Sequence, residues 1–150
     1  MARSTVFETV PVTELMERGM IPEVDYRQMA LVVDDERVIA DTLVAILEGH
    51  GYAATAAYDG EGALEIAGLI PPDVLISDVI MPGMNGIDLA VQLKSLIPGL
   101  GILLFSGQAA TGNLMAKARE LAEDFEVFAK PMHPRELLAK VQALSMRSMA

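Results

Sequence analysis

The fold this sequence predicts is a doubly wound α/β domain with five parallel strands, and three observations predict it. Short apolar runs, each the length of a buried strand, recur from Met29 to Ala129. Between them lie stretches with apolar residues three and four apart, the spacing of a helix with one buried face. Four of the runs end in a polar residue: Asp34-Asp35, Asp78, Ser106 and Lys130. Strands that alternate with helices pair in parallel, because each parallel connection needs a crossover, and right-handed crossovers cover both faces of the sheet.

The elements follow in order. Residues 1–28 differ in texture from the rest, with scattered apolar positions and interruptions at Pro11 and Pro22. Thr13 is expected to cap a short helix through Leu15, Met16 and Arg18, with Gly19 as a left-handed stop. Two readings of this extension stay open. It is either a loosely ordered tail or a docking segment that packs Val12, Leu15, Met16 and Met20 on the domain or on a second copy. The domain proper spans residues 29–147.

Met29–Val33 is the first strand, followed by a helix with Ile39, Leu43, Ile46 and Leu47 on one face that stops at Gly49–Gly51. Tyr52–Ala57 reads as a weak second strand, and Asp59-Gly60 opens a short helix through Ala63, Leu64 and Ala67. The double proline Pro71-Pro72 ends it and leads into the apolar run Val74-Leu75-Ile76, which delivers Asp78 to a turn at Met81-Pro82-Gly83. A helix carrying Ile87, Leu89, Val91 and Leu93 comes next, then a strand at Ile102–Phe105. An alanine-rich helix through Leu114, Ala118 and Leu121, a strand at Glu126–Ala129, and a last helix with Leu137, Leu138, Val141 and Leu144 complete the pattern.

At 150 residues and 52% hydrophobic, the chain fills one core. A formal charge of −10 argues against direct binding to nucleic acid, whose affinity rests on Lys and Arg neutralising phosphates, and against anionic membrane surfaces. No apolar run approaches the roughly 20 residues that span a bilayer, and residues 1–27 lack the basic start and apolar centre of a signal peptide. With no cysteine there is no disulfide framework or thiolate chemistry, so a cytoplasmic location is expected.

In a parallel sheet the polar strand endings collect on one edge, where open α/β folds place their sites. Three carboxylates converging there repel one another and raise at least one pKa unless a cation compensates. Mg²⁺ suits such an oxygen-rich site. With Mg²⁺ and the Lys130 ammonium the charges of Asp34, Asp35 and Asp78 sum to about zero, which prepares the site for a phosphoryl group. An aspartate can attack phosphorus and form an aspartyl phosphate, a reaction that depends on positioning and charge neutralisation. Ser106 can donate to a phosphate oxygen, and Gly107 leaves room for the anion. Taken singly each residue has an ordinary explanation: a helix cap, a turn residue, a loop or a solvated strand end. Their arrival from four strands at one edge is what makes the set specific.

These motifs resemble the receiver domain of two-component response regulators, of the stand-alone, chemotaxis-regulator-like kind, over roughly residues 28–147. The carrying segments are Leu-Val-Val-Asp-Asp-Glu at 31–36, Tyr-Asp-Gly-Glu-Gly-Ala-Leu-Glu at 58–65, Ser-Asp-Val-Ile-Met-Pro-Gly-Met-Asn-Gly at 77–86, Phe-Ser-Gly at 105–107 and Ala-Lys-Pro at 129–131. The resemblance implies a flavodoxin-like sheet of order 2-1-3-4-5 with five helices. It implies Asp78 as phosphoacceptor, with Mg²⁺ held by Asp35, Asp78 and the backbone carbonyl of Ile80, and by Asp34 through the metal's water. Lys130 would bind phosphoryl oxygens, Ser106 would be the switch hydroxyl, and the Lys130–Pro131 bond would be cis.

The implied phosphodonor is a phosphohistidine on a sensor kinase or a phosphotransfer protein, and the implied output is contact with a downstream protein. The face of the fourth helix, fifth strand and fifth helix would make that contact; self-association as a homodimer is left open. Such a protein is a signalling switch, not an enzyme in its own right. Only Ser145–Ala150 follow the last helix, so the expectation is a chain without an effector domain, the alternative being a receiver that is part of a larger regulator or hybrid kinase. A receiver-shaped module that works without phosphorylation is a further alternative; the complete set of Asp34, Asp35, Asp78, Ser106 and Lys130 argues against it, and Val127, where the family often has an aromatic residue, mildly for it. A true Mg²⁺ phosphatase is disfavoured, because the position two residues after Asp78 is Ile80 and not an acid.

Overall fold

The computed structural model describes residues 11–20, 27–107, 116, 120 and 125–149. Its elements are α1 (Val12–Glu17), β1 (Met29–Val33), α2 (Arg37–Glu48), β2 (Ala53–Ala57), α3 (Gly60–Leu69), β3 (Val74–Asp78), α4 (Gly86–Leu96), β4 (Gly101–Ser106), β5 (Phe125–Ala129) and α5 (Pro134–Met149). The sheet is parallel throughout with order β2-β1-β3-β4-β5, the doubly wound arrangement the alternation predicts.

The pleat sorts side chains into two cores. Leu31 and Val33, Leu75, Ile102 and Leu104 face α3 and α4, where Ala63, Ala67, Ile87, Ala90 and Leu93 close over them. Ala30 and Val32, Val74 and Ile76, Leu103 and Phe105 face the other way, against Ala40 and Leu47 of α2 and Leu137, Val141 and Leu144 of α5. Both faces of the central strands are therefore apolar, which explains why those strands read as continuous runs and not as alternations.

Several element ends differ from expectation by one residue, and the last helix runs on through Ser145 to Met149, where the expectation had it end before Ser145. Tyr52 precedes β2 because its N–H bonds back to Leu47 O at the end of α2, at 3.1 Å. β4 and β5 each begin one residue earlier than the apolar run, and β4 takes in Ser106. In α4 the core stripe runs through Ile87, Ala90 and Leu93, which leaves Val91 at 37% exposure, so Val91 is not a core residue. In α2, Ala40 and Leu47 are buried, while Ile39, Leu43 and Ile46 are only partly covered and line an open cavity against Met132, Pro134 and Leu137.

In the extension, Thr13 lies in the first turn of α1 and is not its cap, since Pro11 O accepts from Glu14 N and Leu15 N. Gly19 does take the left-handed conformation, with φ +70°. Of the alanine-rich helix expected through Leu114, Ala118 and Leu121, those three residues lie outside the described ones, while Ala116 and Glu120 are helical.

Candidate functional site

Register decides which side chains meet at the carboxyl edge. Val33 pairs with Ser77, so Asp34, the next residue after β1, stands level with Asp78. Asp78 pairs with Phe105 and Ser106 with Ala129, which places Lys130 one step beyond β5 on the same edge. The chain direction of four strands thus brings together residues as far apart in sequence as Asp34 and Lys130.

The Lys130 ammonium sits between two carboxylates, donating to Asp34 Oδ2 at 3.0 Å and to Asp78 Oδ2 at 3.1 Å. Asp34 and Asp78 are buried, the latter 7% exposed, whereas Asp35 faces solvent. Asp34 also turns the chain into α2, its Oδ1 accepting from Glu36 N at 3.0 Å. Each of Asp34, Asp35 and Asp78 offers a carboxylate oxygen, and these three oxygens lie within 4.8 Å of one another. Hard oxygen donors this close, only partly neutralised by one ammonium, fit a small divalent cation.

The charges perturb each other. Burial pushes the Asp78 carboxyl above its usual range, Lys130 opposes that through its hydrogen bond and its charge, and Asp34 reinforces it. Burial alone would lower the Lys130 ammonium, but hydrogen bonds and charge from Asp34, and then from Asp78, outweigh it and hold Lys130 above the ordinary lysine value. The lysine stays charged, and the aspartate carries the strain of the site.

Ser106 arrives at the same edge, but its hydroxyl donates to Gly107 O at 3.3 Å. Its backbone is tied to the site, since Lys130 N donates to Ser106 O at 3.0 Å. The Lys130–Pro131 peptide is cis, as the resemblance implies. Val127 packs toward the α3–α4 core and Phe128 toward the opposite one, so Phe128 cannot substitute for an aromatic side chain at position 127.

Three contacts escaped the sequence reading, two beside the site and one at the opposite edge of the sheet. Gly86 opens α4 so close to β3 that a β-carbon there would lie 2.0 Å from Asp78 O. Gly60 carries the side chain of Met84, with 2.8 Å from its would-be β-carbon to Met84 Cβ. Asp73 anchors the far edge, its Oδ2 accepting from Met29 N at 2.8 Å. The motif around Gly83 signals a turn, and nothing in its composition reports these contacts, which depend on how α3 and α4 pack. His133 caps α5: its O accepts from Glu136 N and Leu137 N, and its ring Nδ1 accepts from Arg135 N.

A doubly wound parallel sheet with an acidic cluster and a lysine at its carboxyl edge defines the class of fold, and the comparisons narrow it. The family model described as the response regulator receiver domain matches residues 30–142, and the chain belongs to that family. Among curated relatives, the DNA-binding response regulator MtrA of Mycobacterium tuberculosis is 34% identical over 117 residues, 78% of this chain and 50% of its own length. The response regulator MprA of Mycobacterium ulcerans is 36% identical over 118 residues, 79% of this chain and 50% of MprA. The chain therefore spans about half the length of the curated relatives it matches. Of solved structures, a receiver domain protein from Methanospirillum hungatei superposes with a TM-score of 0.76 at 25% identity, covering 82% of this chain and 97% of that one. A response regulator from Chloroflexus aurantiacus does so with 0.70 at 32% identity, covering 80% and 98%. Among the described residues no helix is long and apolar enough to cross a membrane.

Proposed function

We propose that this receiver domain is a phosphoacceptor in a two-component relay, taking a phosphoryl group from a phosphohistidine onto Asp78 in a Mg²⁺-dependent reaction. The observation that carries the reading is the Lys130 ammonium held between Asp34 and Asp78, inside a cluster of three carboxylates at the carboxyl edge. In the transfer, a carboxylate oxygen of Asp78 forms the new O–P bond as the N–P bond of the donor breaks, and the bonding electrons return to the imidazole. Lys130 trades its contact with Asp78 for the phosphoryl oxygens. Ser106 turns its hydroxyl from Gly107 O to the same group. Asp35, Asp78 and the Ile80 carbonyl would hold the cation directly and Asp34 through water; when bound, Mg²⁺ supplies the positive charge that the carboxylates and phosphoryl oxygens need.

The donor is a protein. The open cavity of about 550 Å³ beside the site is lined by apolar side chains of α2 and of the segment into α5, and it reaches Gly107 and Lys130. A helical partner seated there would present its phosphohistidine at the edge where Asp78 lies. Output is by contact with a downstream protein, from a cytoplasmic location; the chain's charge of −10 assigns no nucleic acid contact to this part. The protein acts as a switch that catalyses only its own phosphorylation and dephosphorylation.

Intact-mass analysis after incubation with a small-molecule phosphodonor tests the reading, with and without Mg²⁺, on the wild type and on Asp78→Asn. A Mg²⁺-dependent gain of one phosphoryl group that vanishes in the variant is the expected result. No gain in the wild type would leave a module that signals without phosphorylation.

A further inference from the structure

The loop from Val79 to Asn85 leads from the phosphoacceptor to α4 and contains Ile80, whose carbonyl the proposed function assigns to the cation. Its two ends are fixed by backbone bonds. Val79 N donates to Phe105 O and Gly86 N to Val79 O, both at 2.8 Å, and Asn85 Oδ1 caps α4 by accepting from Asp88 N at 2.8 Å. Between those ends the chain turns at Gly83, with φ +78°.

Within the loop, Ile80 N donates to Asp78 Oδ1 at 3.4 Å and Met81 is buried in the α3–α4 core, and a further side-chain contact fixes Met84. Met84 lies on Gly60, the buried first residue of α3, close enough that a β-carbon on Gly60 would stand 2.8 Å from both Met84 Cβ and Met84 Sδ. On its other side, Gln92 of α4 donates to Met84 Sδ at 3.8 Å. Gly60 is itself a firm seat, because Asp59 caps α3 with Oδ1 accepting from Gly62 N and its carbonyl accepting from Ala63 N.

The geometry points to the Gly60–Met84 contact as a positioning device for the cation site: α3 sets the height of the β3–α4 loop, and through it the aim of the Ile80 carbonyl. Neither residue touches the cation. The inference rests on the metal assignment above and adds a residue pair to it. Its diagnostic feature is that one of the two closest atoms of Met84 is Cβ, which is fixed to the backbone. A methyl on Gly60 cannot be absorbed by a rotamer change and must displace the chain at Met84. Supports one shell behind a metal ligand commonly alter affinity by about tenfold or more.

The test is calorimetric titration of Mg²⁺ into the unphosphorylated full chain, with thermal melting in the absence of divalent ions as the control. Gly60→Ala is expected to weaken Mg²⁺ binding by about tenfold. In a Met84→Gly background, where the colliding Cβ is gone, adding Gly60→Ala should change the affinity by no more than about twofold, because the two residues act as one unit. If Gly60→Ala does not fold, Met84→Ala, which keeps Cβ and removes the thioether, should still weaken Mg²⁺ binding. A loss of melting temperature with unchanged Mg²⁺ affinity in both single variants overturns the inference and leaves the metal assignment intact. Absence of Mg²⁺ binding by the wild type overturns both.

Discussion

Asp78 is a buried acid whose proton is held more tightly in the folded chain than in the unfolded one, because burial raises its pKa and Lys130 only partly offsets the rise. A raised folded value means that its contribution to stability is present below the usual carboxylate range and is lost as the pH climbs through the raised value. At neutral pH the ionised side chain therefore costs stability. Asp78→Asn should melt above the wild type at pH 7 without divalent ions, and the gap should close below about pH 4. A variant that melts lower at pH 7 would contradict this. Lys130 works in the opposite sense. Its raised value keeps its contribution intact below the ordinary lysine pKa and loses it only as alkaline pH passes the raised one. Lys130→Ala strands two buried carboxylates and should cost about 1–3 kcal/mol, discounted for the partial exposure of the lysine. Chemical denaturation with and without Mg²⁺ checks this, and the cation should recover more stability in the variant than in the wild type. These residues were readable as candidates because each follows an apolar run; their pairing was not, because nothing in the chain says which carboxylate the lysine reaches.

Helices and strands set the site through close backbone approach. Gly86 is the clearest case: its neighbour is the carbonyl oxygen of Asp78, an atom that cannot swing aside. Gly86→Ala should cost at least about 2 kcal/mol by overpacking. It should also slow phosphoryl uptake, since relief requires moving the backbone of Asp78, the proposed phosphoacceptor; a melt and an intact-mass time course report the two effects. At the far edge Asp73 joins three strands, taking Met29 N on its side chain and Gly101 N on its backbone carbonyl while donating to Met29 O. Asp73→Ala should lower stability by about 1–3 kcal/mol with phosphoryl uptake retained, because it leaves a strand N–H without its acceptor far from the reacting edge. The periodicity of the elements was legible for α3, β3 and α5. For α4 the apolar residues Ile87, Leu89, Val91 and Leu93 did not say which of them face the core, and the sheet that α4 covers decides that Val91 does not.

At the scale of the whole molecule, the two cores begin at Ala30 and Leu31 among the described residues, and the described hydrogen bonds of Pro11–Met20 close within that segment. Removing residues 1–26 decides between the two readings of the extension: an unchanged melting temperature marks a tail, and a marked fall marks a docked part of the domain. What the sequence alone determined about this protein is its class and its chemical inventory. Apolar runs ending in acids, a hydroxyl and a lysine demand a parallel sheet with those groups on one edge, because local periodicity and chain direction are encoded residue by residue. Only the tertiary structure decided that Lys130 bridges Asp34 and Asp78 while Asp35 stays in solvent, that the Ser106 hydroxyl rests on Gly107, and that Met84 stands on Gly60. Those contacts join residues distant in the chain, and their distances follow from strand register and helix packing, which no local pattern contains.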